Sequence, residues 1–405
     1  MKLDAFPLEF QGAMPILRKL QSKNYEAYYV GGSVRDILLN KPIHDVDIAT
    51  SAFPAEVKEL FHRTIDVGID HGTVMVITKE ATYEVTTFRT ESTYQDYRRP
   101  DHVEFVRSLK EDLKRRDFTI NALAVGIDGT VIDLFDGLAD LRNKVLRAVG
   151  DPYERFHEDA LRMMRALRFV SQLGFTLEPD TFEAIQEYHS LLAKISVERI
   201  NVEFVKLMMG SSREAGLHSL VESECYIYCP GLREYGEALL NFAELRGPAI
   251  PTERQAWTLL MMMLDLNSAD IRHFMKEWKC SNQLIREVTQ MVPALQLRLK
   301  QGWDSWTLYQ LGRELALSVE YRLYYFEQEP NLEKVRVLYQ FLQINSLKDL
   351  AVKGNEVMEH FDYPRGPWIS TTLNALERAV VAGELANHKE ELFRFAEDFL
   401  KKEQP

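Results

Sequence analysis

The period of apolar and polar positions changes once along this chain, near residue 150. Before it, short runs rich in Val, Ile, Thr and Tyr alternate with stretches of helical spacing. Ala27–Val30, Val46–Thr50, Thr73–Thr78, Tyr83–Phe88, Val103–Val106 and Ile120–Val125 read as strands. Gly31-Gly32, Gly68, Gly72, Asp128-Gly129 and Gly137 punctuate them. Apolar residues recur at helical spacing over about 7–23, 33–40, 54–62 and 109–116. This predicts a small α/β or α+β domain with one sheet. After Asp151-Pro152 the strand signal stops, and Leu, Met, Glu, Gln, Arg and Ala at helical spacing run to the end. Asp151 reads as an N-cap with Pro152 in the first turn, and Gly174 as a stop. Gly210, Gly247-Pro248, Pro251 and Gly366-Pro367 divide the helical part further.

Composition narrows the class. The 405 residues are 46% hydrophobic, enough to bury a full core without disulfides or metals. Disordered, collagen-like and disulfide-scaffold proteins are excluded. With 49 basic against 61 acidic residues the net charge is −12, which argues against salt-driven coating of nucleic acid but leaves room for a local basic track. Cys225, Cys229 and Cys280 form no C-x-x-C pair, so free thiols in a reducing cytoplasm are expected. The first residues carry Asp4 and Glu9 and no apolar core, unlike a signal peptide. Apolar stretches such as Leu259–Leu264 fall short of the ~18 residues needed to span a bilayer, so no membrane is expected.

Candidate chemistry starts at Asp45-Val46-Asp47, at the start of a predicted strand. Side chains repeat every two residues there, so both carboxylates face one way and repel unless a cation sits between them. Oxygen donors of this kind suit Mg²⁺, which completes its shell with phosphates and water. Alone, Asp-x-Asp fits a solvated turn before a strand better. Fifteen residues earlier, however, Val30 runs into Gly31-Gly32-Ser33-Val34-Arg35, a strand entering a helix through two glycines. Backbone N–H groups there can meet a triphosphate that Gly32 lets approach, with Arg35 one turn on to reach a phosphate oxygen.

The run GGSVRD, then DVDIAT, Glu84 in YEVTTF, and RRDFTINALA from Arg115 to Ala124 resembles the class II tRNA nucleotidyltransferase and bacterial poly(A) polymerase superfamily. Length and the helical remainder match its short CCA-adding members. The resemblance implies a DNA-polymerase-beta-like head with one small mixed sheet, followed by an all-helical neck, body and tail. Boundaries are placed at 1–150 for the catalytic head, 151–210 for a base-reading neck, and 211–290 and 291–405 for a tRNA-binding body and tail. It also implies two-metal chemistry, with Asp45 and Asp47 holding Mg²⁺ and activating the 3′-hydroxyl of an RNA. Glu84 is the candidate third carboxylate and general base, with Asp117 competing for that place. Arg116 would contact the triphosphate.

A template-independent enzyme must read the base itself. Glu158 to Arg168 is helical by pattern, with Asp159, Arg162, Arg165 and Arg168 three apart in one slanted stripe. Cytosine and adenine each present an amino donor beside a ring-nitrogen acceptor, and an Asp next to an Arg satisfies both. Uracil and guanine present the opposite polarity. Mispaired buried groups cost about 1–3 kcal/mol each. Asp159 and Arg162 are therefore the expected base readers, as in the family's E-D-x-x-R motif. Arg165 and Arg168 would position the nucleotide.

Thr90–Asp101, polar and rich in Tyr and Arg, reads as a mobile loop beside the site, and in the family a loop here supports the switch from C to A. Glu198 and Arg199, after Ser196, read as bracing a helix. Trp303, Trp306 and Trp368 are expected in the core or against RNA. The expected activity is addition of C, C and A to the 3′ end of tRNA from CTP and ATP. The alternatives are a poly(A) polymerase and a partial CC- or A-adding enzyme. Expected partners are the tRNA acceptor arm, ATP and CTP, with a homodimer left open.

Overall fold

The computed structural model describes every residue except 69–71, 80, 92–93, 96–98, 101–102, 362 and 404–405. Half of the Thr90–Asp101 loop, with Arg98, lies outside the described residues, and so does the expectation placed on it. The chain divides into two compact units, Met1–Ala243 and Glu244–Pro405.

In the first unit the strands are β1 (Ala27–Val30), β2 (Asp47–Thr50), β3 (Thr64–Gly68), β4 (Thr73–Ile77), β5 (Thr82–Thr87), β6 (Arg89–Glu91), β7 (Tyr94–Gln95), β8 (Arg99–Pro100), β9 (Val103–Phe105), β10 (Leu123–Val125), β11 (Val131–Asp133), β12 (Val145–Leu146) and β13 (Thr176–Leu177). Seven of them form one sheet in the order β11-β10-β1-β2-β5-β4-β3. Every pairing in it is antiparallel except β2 with β5, which is parallel. The helices are α1 (Leu8–Gln21), α2 (Gly32–Leu38), α3 (Pro54–Leu60), α4 (Leu109–Lys114), α5 (Gly137–Asn143), α6 (Pro152–Glu158), α7 (Leu161–Leu173), α8 (Pro179–Tyr188), α9 (Val197–Met208), α10 (Arg213–Glu222) and α11 (Gly236–Glu244).

Alternation along the strands assigns the two faces of the sheet. Tyr29, Ile48, Val74, Val76 and Val85 are buried on one face. Tyr29 stacks on Phe10 of α1 with ring centroids 4.2 Å apart, and its hydroxyl donates to the Phe10 carbonyl at 2.7 Å. The other face carries Val30 and Ala49, packed with Phe88, Leu109 and Leu113 beneath α4. Asp47, Glu84, Thr86 and Thr73 share that face by register.

Two expected elements are corrected. Ile120–Val125 is not one strand: Thr119–Asn121 is a 3₁₀ turn and only Leu123–Val125 pairs. The Glu158–Arg168 helix is broken. Asp159 is extended (φ −136°, ψ 102°), ending α6, and α7 starts at Leu161. The Asp159 Oδ1 accepts from the Leu161 N–H at 3.1 Å, the capping role Asp prefers to a helix interior. Asp151 does cap α6 by accepting from Tyr153 N–H at 2.9 Å, and Gly174 ends α7 in the left-handed region at φ 69°.

The second unit is helical in its described residues: α12 (Glu253–Met263), α13 (Ser268–Glu277), α14 (Asn282–Gln301), α15 (Ser305–Tyr321), α16 (Leu332–Gln340), α17 (Gly354–His360), α18 (Trp368–Ala382) and α19 (Lys389–Glu403). Trp303 packs on a core of Met291, Leu295, Leu308 and Val319. Trp306 and Trp368 pack on a second core around Val357, Leu376 and Leu392. Among the described residues no helix is long and apolar enough to cross a membrane.

Candidate active site

Above the polar face of the sheet lies a cavity of about 880 Å³, walled by β2, β5, the Arg115–Asn121 segment, α7 and α9. It gathers Gly32, Arg35, Asp47, Glu84, Arg116, Asp159, Arg162, Arg165 and Arg168, residues expected from sequence to act together. Among the described residues nine cationic side chains line it against five carboxylates, a local excess of four positive charges on a chain of net charge −12. Such a basin concentrates anions.

The carboxylates sit where the parallel pairing puts them. Asp47 on β2 is in direct register with Glu84 on β5. Burial pushes the Asp47 carboxyl up, the Glu84 and Asp45 charges add to this, and Arg116 opposes it. Asp45 departs from the expected pair. It is exposed, precedes β2 instead of starting it, and does not line the cavity, although its charge reaches Asp47. The two candidates for a third carboxylate sit differently. Glu84 faces Asp47, whereas Asp117 is engaged elsewhere: its Oδ2 accepts from Arg165 Nε at 2.9 Å, and its Oδ1 from Asn121 Nδ2 at 3.0 Å and Phe118 N–H at 2.8 Å. Burial alone would raise Asp117, but Arg165, Asn121 and Arg162 outweigh it and hold the carboxyl far below the usual range.

Gly31 is needed where it stands. Its φ is +72°, and a Cβ there would lie 3.2 Å from the Arg116 guanidinium and 3.4 Å from Asp47 Oδ2. Arg116 leans over this turn, held by Asp112 Oδ2 at 3.2 Å and the Asn121 carbonyl at 3.3 Å, with its buried Nε unpaired. Arg35 is tied to Asp36 at 2.8 Å and to Asn121 Oδ1 at 2.9 Å.

Asp159 and Arg162, the pair expected to read the base, are wired differently from the expected i,i+3 couple. Asp159 is gripped by Arg199 of α9, at 2.7 Å on Oδ2 and 3.3 Å on Oδ1. Arg162 bonds Glu158 at 2.6 Å, the Arg155 carbonyl at 3.2 Å and the Arg115 carbonyl at 3.0 Å. Arg168 pairs with Glu203 at 3.1 Å, and burial lowers its guanidinium to about 10 against that pairing. Arg199, read from sequence as a helix brace, thus lines the cavity itself. Its motif was visible, but a bond spanning forty residues leaves no local trace. Asn121, the hub for Arg35, Arg116 and Asp117, was likewise missed.

Models of known families cover much of the chain: the poly A polymerase head domain matches residues 27–147, and tRNA nucleotidyltransferase domain 2 matches residues 249–396. The CCA-adding enzyme of Enterococcus faecalis is 55% identical over 396 residues, 98% of each chain. This chain belongs to the CCA-adding enzyme family. The CCA-adding enzyme of Limosilactobacillus fermentum is 47% identical over 99% of this chain and all of its own. Among solved structures, the Bacillus stearothermophilus CCA-adding enzyme in complex with CTP superposes with a TM-score of 0.91 at 43% identity, covering 98% of this chain and 99% of its own. A tRNA-processing enzyme in an apo form superposes with a TM-score of 0.62 at 26% identity, covering 94% of this chain and all of its own. The family is a nucleotidyltransferase family, and its α+β head and helical remainder are those described above.

Proposed function

We propose that this CCA-adding family member adds C, C and A to the 3′ end of tRNA in the cytoplasm, using CTP and ATP and releasing pyrophosphate. One observation carries the site assignment: a single basic cavity holds both a register-paired carboxylate couple and the Asp159–Arg162 segment. In this reading residues 1–150 hold the reacting groups, 151–210 read the base, and 211–290 and 291–405 hold tRNA.

The donor set fits a divalent cation. Asp47 and Glu84 are hard oxygen donors in register; burial first and the Glu84 charge second raise the Asp47 carboxyl, and a cation between them would relieve both penalties. Asp45, two residues before Asp47 and outside the cavity lining, is a further oxygen donor, and Mg²⁺ needs few protein ligands because triphosphate and water supply the rest. When bound, Mg²⁺ neutralises the phosphate oxygens and lowers the pKa of the attacking hydroxyl. The Glu84 carboxylate is the protein group placed to accept the proton of the RNA 3′-hydroxyl. Gly31 and Gly32 admit the triphosphate to the main chain, and Arg35, Arg116, Arg165 and Arg168 neutralise and orient it. Asp159 accepts from the amino group of cytosine or adenine, and Arg162 donates to the adjacent ring nitrogen. Both are held by partners outside the nucleotide, so they meet the base already oriented.

The test is a tRNA transcript ending before CCA, incubated with all four triphosphates and sequenced. The expected product ends in C-C-A and stops. Long A tails on unrelated RNA would establish the poly(A) reading, and arrest after C-C would establish partial addition.

A further inference from the structure

Among the described residues, the cations that line the cavity are already engaged, with one exception. Arg115 and Arg116 share Asp112, Arg162 holds Glu158, Arg165 holds Asp117, Arg168 holds Glu203, and Arg199 holds Asp159. Lys206 on α9 also lines the cavity, is exposed, and has neither an ion pair nor a hydrogen bond among the described residues. The acidic residue one turn before it, Glu203, is consumed by Arg168 and Arg165. Near the same end of α7 stands a second lysine without a carboxylate. Lys41 donates to the carbonyl of Gln172 at 3.2 Å, and the Gln172 residue lines the cavity too.

We infer that Lys206, with Lys41 beside Gln172, binds phosphodiester groups of the RNA strand that enters the cavity. This rests on the proposed function. Arg35 and Arg116 sit at Gly31 and Gly32, where a triphosphate would lie, and the paired arginines have fixed geometry through their carboxylates. Lys206 has no such orientation. It is a mobile point charge on a flexible stem at the mouth, suited to a backbone that must shift register with every nucleotide added. A phosphodiester track asks only for charge. The excess positive potential of the basin makes an unpaired ammonium there unfavourable until an anion arrives.

Lys206→Glu and Lys41→Glu, made in the full chain, test this with tRNA lacking its CCA end. The measurements are KM for tRNA, KM for CTP and kcat between about 50 and 200 mM KCl, the range over which phosphate contacts show their salt dependence. Lys206→Glu raises KM for tRNA roughly tenfold at the lower salt, consistent with loss of an ionic contact and its reversal. KM for CTP and kcat stay within about twofold, since the substituted side chain meets neither. The slope of log KM for tRNA against log salt falls by about 0.7–0.9, the share of one phosphate contact. Lys206→Arg keeps the wild-type slope. An unchanged tRNA KM and slope in Lys206→Glu would show a solvated lysine and overturn the inference. So would a raised KM for CTP with tRNA binding intact, which would place the ammonium on the triphosphate. A wild-type chain that adds nothing to tRNA would refute the proposed function instead, before any variant is compared.

Discussion

Asp159→Ala removes the carboxylate proposed to accept from the amino group of the incoming base and leaves the carboxylates of the sheet untouched. Asp159 Oδ2 accepts from Arg199 at 2.7 Å, and Oδ1 accepts from Arg199 and from the Leu161 N–H. Two consequences follow and can be separated. For stability, the variant loses a largely covered ion pair, with side-chain exposures of 28% for Arg199 and 17% for Asp159, and a cap on α7. A charged hydrogen bond is worth about 1.5–3 kcal/mol when covered, and partial exposure brings this toward 1–2 kcal/mol. For selectivity, the amino group of cytosine loses its acceptor, and uracil no longer places its O4 against a carboxylate. One mismatch of about 1–3 kcal/mol disappears, so preference for C over U falls by roughly 10- to 100-fold. The assay is single-turnover addition of CTP and of UTP, separately, to tRNA lacking CCA, at a temperature well below the melting point of the variant. Incorporation of CTP is expected to remain measurable while the C-to-U ratio collapses. A variant that keeps the wild-type ratio while losing stability would refute the base-reading role and leave Asp159 as a helix cap.

Three further outcomes are expected. Asp47→Asn should abolish incorporation yet raise the melting temperature near neutral pH. The Asp47 carboxyl is raised in the folded state, so its charge opposes folding above about pH 4, the ordinary Asp range, and the gain should vanish below it, as urea melts at both pH values will show. Asp117→Asn takes from Arg165 its hydrogen-bonded carboxylate, leaving only Glu203 at 3.9 Å, and should destabilise the protein by about 2–4 kcal/mol at pH 7, somewhat less than for a fully buried pair because Arg165 is one-third exposed. Because the Asp117 carboxyl is depressed, its contribution is complete above about pH 4 and drains away as pH falls, so the gap between wild type and variant should narrow below that value. Gly31→Ala forces φ +72° on a residue with a Cβ 3.2 Å from Arg116. It should cost about 1–2 kcal/mol and raise KM for CTP more than it lowers kcat, read from steady-state kinetics and a thermal melt.

What was legible in the sequence was what is local. Ala27–Val30 pairs over the residues its alternation predicts, Asp151 caps, Gly174 terminates, and the Arg162–Arg168 stripe faces one cavity. The edge strands Thr64–Gly68 and Val131–Asp133 escaped notice because an edge strand buries little and its pattern is correspondingly weak. The parallel pairing that sets Glu84 against Asp47 is a choice among strand orders, and no spacing encodes it. The identity of each arginine's partner was equally hidden. Asp159 with Arg199 and Asp117 with Arg165 join segments forty or more residues apart, and side-chain type alone permits many other matches.

The parallel pairing of β2 with β5 also governs when the protein becomes competent. Neighbouring antiparallel strands can zip together through short turns, but Asp47 meets Glu84 only after the intervening α3, β3 and β4 have folded back across the sheet. Helices and hairpins therefore form first during refolding, and catalytic power returns with the slowest long-range closure, trailing the recovery of secondary structure.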